Sequence, residues 1–304
     1  MPSTPSHIHL RDWGLLVLLS LIWGGSYLFV GIAVKELPPL VIVMARVTIA
    51  ALALLPLHLL LLGPLPASRA SWAIIAVMSV VNNVIPFTLI VTGQTMIASG
   101  LASVINATAP LFGVGFLAAA RLERLAPRKF LGILVGIGGV AILKGDTLLG
   151  DGFQSVGILL CLGAAASYGL ASLWAKLKLS AMPPLSLATG QLLCSAVIMT
   201  GLTMGFSHPA ELLSASALSW AALLGLALVS TSLAYIIFFR IVASAGAGNV
   251  LLVTMMIPVS AIAFGVVLLG ETLEPREIAG AAIIAVALLI IDGRVLGWLR
   301  QPSS

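Results

Sequence analysis

The sequence predicts an all-α polytopic membrane protein in which ten transmembrane helices form two five-helix repeats of inverted topology. Three observations carry this expectation. Hydrophobic residues make up 60% of the 304-residue chain and charged residues only 8%, against roughly 45–50% and about 25% in an average soluble domain. Apolar runs long enough to cross a bilayer recur along the whole chain. The chain also repeats itself. Glu36-Leu37-Pro38-Pro39-Leu40 returns as Ala181-Met182-Pro183-Pro184-Leu185 at an offset of 145. Pro110, Glu123, Leu125, Pro127, Arg128, Gly132 and Gly145 meet Pro258, Glu271, Leu273, Pro275, Arg276, Gly280 and Gly293 at a constant offset of 148. With an odd number of spans in each half, the second copy enters the membrane upside down relative to the first, a construction common among secondary transporters.

The spans follow in order. The first run, 13–34, comes after ten polar residues and is a full span, so a retained helix is expected and not a cleaved signal. Runs at 39–62, 71–92, 97–120 and 129–143 complete the first repeat, residues 1–146. The second repeat, residues 147–304, holds runs at 154–175, 184–206, 218–239, 246–269 and 277–292. The fifth run is the shortest. Short polar links suit antiparallel neighbours.

Charge sets the direction. With a cytoplasmic amino terminus, the inner face holds eleven basic residues: Arg11, Arg69, Arg121, Arg124, Arg128, Lys129, Lys176, Lys178, Arg240, Arg294 and Arg300. The outer face holds Lys35, Lys144 and Arg276. Cytoplasmic loops carry the excess of Lys and Arg in membrane proteins, so both termini are expected in the cytoplasm. The same placement explains the net charge of +5 without nucleic acid, because the basic residues stand singly or in pairs at span ends. Cys161 and Cys194 each lie within an apolar run, which implies neither a disulfide framework nor a metal site.

Candidate binding residues come from the prolines. Proline lacks an N–H and clashes with the carbonyl four residues back, so that carbonyl loses its helical partner. Pro110 would free the carbonyl of Asn106, Pro258 that of Thr254 and Pro86 that of Asn82, with Asn83 beside it. Pro110 and Pro258 are repeat mates, and interrupted helices at matching positions point to a midplane site. The competing reading is a simple kink, with each polar side chain bonding to its own helix. Aromatic residues add a second layer. Trp23 and Tyr27 lie one turn apart in span one, Tyr168 and Trp174 in span six and Tyr235 in span eight. Such side chains stack on a ligand or pack helices, and both readings stay open. Trp13, Trp72, Trp220 and Trp298 fall at span ends, where the interfacial belt accounts for them.

Arg46 is the one charged residue well inside a span, about seven residues from its outer end and roughly 10 Å deep at 1.5 Å per residue. Carboxylate binding or gating competes with snorkelling or bonding to nearby carbonyls, and the structural reading is preferred. Its repeat mate is Gln191. His58, beside Pro56 at the inner end of span two, reads as interfacial and not as a proton carrier. Glu123 and Glu271, just past spans four and nine, are expected to satisfy the amino termini of the helices that follow them. The glycines of span five, Gly132, Gly136 and Gly139, are expected to pack against span ten at Gly280 rather than form a homodimer. No Asp or Glu lies in the middle of a span. That argues against carboxylate-driven proton exchange and against a membrane enzyme, since no acid–base pair, nucleophile–base pair or metal-ligand cluster can be assembled from the spans.

These elements together resemble the drug/metabolite transporter superfamily in its EamA-like branch. The matching residues are Trp23-Gly24 in span one, Pro110 followed by Glu123 and Gly132, and the second set Pro258, Glu271 and Gly280. Within it the chain is most similar to aromatic amino-acid exporters of the YddG type. The resemblance implies a basket-like bundle with spans one, three, four, six, eight and nine around a central cavity, and spans five and ten apart from it. It implies export of amino acids, aromatic or otherwise largely apolar, and of related metabolites from the bacterial cytoplasm by alternating access. Trp23, Tyr27, Asn82, Asn83, Asn106, Tyr168, Tyr235 and Thr254 are the expected substrate contacts, and Pro86, Pro110 and Pro258 the expected hinges. The partners are a small-molecule substrate and the lipid bilayer, with no nucleic acid, no metal and no cofactor. A monomer is expected, with a dimer as the alternative. Export of nucleobases, drugs or other metabolites, or a lipid scramblase or membrane scaffold, are the rival readings.

Overall fold

The structure, a computed structural model, describes residues 9–65, 68–144, 152–179, 182–245 and 252–292. Gly145, Ala181, Gly293, Arg294, Trp298 and Arg300 lie outside the described residues. The described residues are helical, with no strand among them: α1 (Leu10–Ala33), α2 (Pro39–Leu62), α3 (Arg69–Gly93), α4 (Ser99–Ala119), α5 (Pro127–Lys144), α6 (Gly152–Lys178), α7 (Pro184–Phe206), α8 (Ala217–Val242), α9 (Leu252–Leu269) and α10 (Pro275–Asp292). Proline opens α2, α5, α7 and α10, where its fixed φ is already helical and its missing N–H costs nothing. Gly63 (φ 77°) and Gly270 (φ 69°) end α2 and α9 in the left-handed conformation that glycine adopts freely.

Eight of these helices are long and apolar enough to cross a membrane. The chain is therefore a multi-pass membrane protein. The sequence led us to expect ten. The two that fall short, α5 and α10, each carry three charged residues within 18, namely Arg128, Lys129 and Lys144, and Arg276, Glu277 and Asp292. Leucines and valines such as Leu60, Val197 and Val267 stand exposed on the outside of the bundle, as suits a hydrocarbon surrounding.

Glycine sets how closely the helices approach. Between apolar helices in lipid, small residues permit the backbone contact that drives association. On α1, a Cβ at Gly24 would collide with Ser260 and with the backbone of Ala261 on α9. On α6, one at Gly169 would meet Phe112 and the Gly113 nitrogen of α4. The helix α2 packs on α7 and α5 on α10. In the last pair Gly132, Gly139 and Gly280 bring backbones together, as the small-residue spacing indicated. The buried apolar core runs from Val43, Val47 and Leu54 of α2 to Leu192 of α7 and Leu226 of α8.

The three expected hinges have three different outcomes. At Pro110 the helix is broken: α4 consists of Ser99–Asn106 and Ala109–Ala119, joined by a turn at Ala107 and Thr108. There the Thr108 and Leu111 amides bond only three residues back, at 3.0 and 2.9 Å, and the Thr108 hydroxyl donates to the Ile105 carbonyl at 2.6 Å. Pro86 instead follows a wide π turn, Val80–Val84, whose extra residue accommodates the missing amide without a break. At Pro258 the helix runs on unbroken. A second π turn, Gly225–Leu233, lies in α8. There the hydroxyls of Thr231 and Ser232 donate to the carbonyls of Leu226 and Ala227 five residues earlier. The two carboxylates beyond the spans also differ from expectation. Glu123 pairs with Lys129 and Lys176, and Glu271 caps α4, while Glu277 accepts from the Glu274 amide ahead of α10.

Candidate functional site

The irregular stretches of α3, α4 and α8 converge on a cavity of about 470 Å³, within the size range of small-molecule sites. Its lining comes from eight helices, with none from α5 or α10 among the described residues. Six of the eight are those the resemblance implied. The additions are α2, through Arg46, and α7, through Leu187 and Gln191.

One wall is aromatic. Tyr235, Phe238 and Phe239 share a face of α8, because residues three and four apart stand over one another on a helix. Phe238 tilts against Trp23 of α1 with centroids 5.7 Å apart, and Tyr235 stacks on Phe239 at 6.1 Å. Tyr27 and Tyr168 also line the cavity. Phe238 and Phe239 were missed in the sequence, although their spacing from Tyr235 was there to be read. Trp174 is not part of the wall; its indole N–H ties α6 to the Ile74 carbonyl of α3 at 3.0 Å.

Polar side chains complete the lining. Asn82 Nδ2 donates to Gln191 Oε1 at 3.1 Å. Asn83 does not line the cavity, contrary to expectation. It is fully buried behind it, donating to Ser195 Oγ at 3.1 Å and accepting from the Tyr235 hydroxyl at 3.3 Å. Asn82 Nδ2 also donates to Asn83 Oδ1 at 3.4 Å, so the cavity-lining amide is tied to the one behind it. Asn83 thus joins α3, α7 and α8 and sets the Tyr235 ring. Asn106 and Thr254 both reach the cavity, as does Pro110, whereas Pro86 and Pro258 do not. Asn106 Oδ1 is buried without a hydrogen-bond partner, and so is Gln94 Oε1, whose amide donates to the Tyr27 carbonyl at 3.0 Å.

One side chain in the lining carries a charge. Arg46 is 8% exposed and does not snorkel. Its Nε donates to Thr231 Oγ1 at 3.0 Å, and its guanidinium carbon lies 3.7 Å from the Phe87 ring centroid. Among the described residues no carboxylate pairs with it, and none lines the cavity. The phenols of Tyr27, Tyr168 and Tyr235 lie within reach of its charge. His58 is also buried within the protein, with both ring nitrogens unpartnered among the described residues, and it is not part of the cavity lining. Among the described residues, no three of His, Cys, Asp and Glu cluster as a metal site.

Such a lining can enclose a small amphipathic molecule among aromatic rings and polar side chains. Comparison with known proteins agrees. The EamA-like transporter family model matches residues 13–144 and again 155–292. The chain is 26% identical over 283 residues to the uncharacterized transporter YvbV of Bacillus subtilis, covering 91% of this chain and 90% of that one. It is 27% identical over 296 residues to a probable amino-acid metabolite efflux pump of Salmonella typhimurium, covering 92% and 94%. A solved crystal structure shares the fold with a TM-score of 0.65 at 17% identity, over 92% of this chain and 96% of that one. With both halves of the chain matched, and with a bundle of apolar helices around a ligand-sized cavity, the chain belongs to the EamA-like transporter family and is a membrane transporter, not an enzyme.

Proposed function

We propose that this transporter exports amino acids, aromatic or otherwise largely apolar, and related metabolites across the bacterial inner membrane by alternating access without a coupled ion. The observation that carries the reading is the cavity itself, lined both by the rings of Trp23, Tyr168 and Tyr235 and by the amides of Asn82, Asn106 and Gln191. A free amino acid offers an apolar body and a polar head to such a lining. The name of the Salmonella relative, a probable amino-acid metabolite efflux pump, supports the same substrate class.

The mechanism rests on two inverted halves, residues 1–146 and 147–304, with α5 and α10 completing ten spans and both termini in the cytoplasm. Several observations support it. The repeat offsets are 145 and then 148, and the family model matches once in each half. The packing follows the same exchange, since α1 lies on α9 as α6 lies on α4, through Gly24 and Gly169, which are 145 residues apart. Pro110, at the break in α4, and Pro258 would be the hinges on which the halves rock. Among the described residues the lining has no carboxylate or histidine that could carry a proton, which favours passage down the substrate's own gradient.

The test is uptake of labelled phenylalanine, tryptophan, methionine and threonine into proteoliposomes, with and without a pH gradient. Saturable uptake that ignores the gradient is the expected result. Uptake no greater than in empty liposomes would overturn the amino-acid reading and favour nucleobases, drugs or lipids. Reporter fusions at both termini check the orientation.

A further inference from the structure

We propose that Arg46 is a carboxylate anchor and that the cavity selects monocarboxylates with an apolar body, the α-ammonium group being dispensable. The inference rests on the reading of the cavity as the transport site and goes further into its chemistry.

A charge inside a membrane span is costly, and a buried arginine ordinarily meets an acid or reaches the interface. Arg46 does neither. Its partners are one neutral hydroxyl, Thr231, and the face of Phe87. A guanidinium has five N–H donors, and the Nε–H is the one in use. The two Nη atoms make no hydrogen bond with the described residues, and they are not among the sealed, unpartnered buried atoms. They therefore open into the cavity that Arg46 lines. Thr231 and Phe87 hold the plane of the fork from its edge and its face. A fork so held matches the two oxygens of a carboxylate and loses little freedom on binding it.

Nothing equivalent awaits a cation. No carboxylate lines the cavity among the described residues, so an ammonium meets only neutral groups among them. Hydrogen bonds to a charged partner are roughly twice as strong as neutral ones. The carboxylate thus outweighs the ammonium. The class that follows is amino acids together with their deaminated and N-acylated derivatives, whereas the amines left by decarboxylation are rejected and repelled by Arg46.

The test uses purified full-length protein and three probes of one shape: phenylacetate, the uncharged phenylacetamide and the cation phenethylamine. Wild type should bind phenylacetate roughly tenfold tighter than phenylacetamide, with no competition from phenethylamine. In Arg46→Gln the two affinities should converge, and retained phenylacetamide binding shows that the variant is folded. Should Arg46→Gln not fold, Arg46→Lys, which keeps the charge but loses the fork, and Thr231→Val, which frees it, should each narrow the acid-to-amide ratio. Equal wild-type affinities, no phenylacetate binding at all, or a ratio unmoved by these variants would overturn the proposal. The outcome is separable from the broader reading. Wild-type proteoliposomes that carry phenylalanine while showing no acid preference would sink the anchor and leave amino-acid export standing. Acid-selective binding without phenylalanine uptake would do the reverse.

Discussion

Glu271, just past the carboxy-terminal end of α9, closes the amino-terminal turn of α4 through Ser99: one carboxylate oxygen accepts from the Ser99 amide at 2.7 Å and from its hydroxyl at 2.6 Å, and the other from the Gly100 amide at 3.1 Å. The first turn of a helix has unsatisfied amides and a positive dipole end, so a carboxylate suits it doubly. Because α4 is broken after Asn106, this contact holds an eight-residue helical piece that carries Ser103 and Asn106 into the cavity. Replacing Glu271 with alanine should cost about 2 kcal/mol of stability. Thermal unfolding followed by exposure of the buried Cys161 thiol checks it. An unchanged midpoint would show that the cap is not stabilising.

The glycine contacts make a sharper test. Gly24→Ala and Gly169→Ala each place a methyl against a neighbouring backbone and should destabilise by roughly 1–3 kcal/mol. Gly138→Ala meets nothing within 4 Å and should be neutral or stabilising, by about 0.5–1 kcal/mol, because alanine is the better helix former. The same unfolding assay ranks all three. Equal effects would mean that α1–α9 and α4–α6 do not approach as closely as described.

At the break in α4, Pro110→Ala restores an amide and lets the helix run straight through Ala107 and Thr108. Turnover should fall several-fold with substrate binding little changed, as expected of a hinge, and a comparison of transport rate with equilibrium binding decides it. By contrast Asn106→Ala, together with Thr254→Ala, removes lining groups and should raise the apparent KM by roughly fivefold, about the worth of one neutral hydrogen bond. Unchanged kinetics in folded protein would remove both residues from the site.

Glu123 supplies a pH signature. The ammonium groups of Lys176 and Lys129 hold its carboxyl below the ordinary carboxylate range. A depressed folded value means that the pair stabilises fully above the unfolded value, about 4.3. The contribution disappears as pH falls through the lower folded value. The group is about a third exposed, so the effect should stay under about 1 kcal/mol and shrink with salt. The midpoint difference between wild type and Glu123→Gln should therefore close as pH drops below that range. A difference independent of pH would refute the pairing.

How far the sequence could be read depended on whether a feature was local. The spans at 39–62 and 184–206 coincide with α2 and α7, because apolar runs bounded by proline pairs are local signals. The break near Pro110 was foreseen from the missing amide. Its different outcome at Pro258 was not, because whether a helix breaks or continues depends on its surroundings and both prolines look alike in sequence. The wide turns were not foreseen either. For α8 the signal was the Ser230-Thr231-Ser232 run, in which the Thr231 and Ser232 hydroxyls satisfy displaced carbonyls while Ser230 donates to the Ile22 carbonyl of α1. Arg46 drew notice as a charge within a span, but its depth alone could not show what it faces. Its partner Thr231 lies 185 residues along the chain.

A lone positive charge held within the bilayer has an electrical consequence. Cells maintain an inside-negative potential, worth about 2.3 kcal/mol per elementary charge for each 100 mV. On the proposal that Arg46 anchors exported acids and stays with the protein, a zwitterion would move no net charge over a full cycle and be indifferent to that field. A deaminated acid would move one negative charge outward over the same cycle, and the field would drive it in that direction. A transporter with no ion to couple would then expel anionic metabolites even against their concentration, with the voltage itself as the energy source.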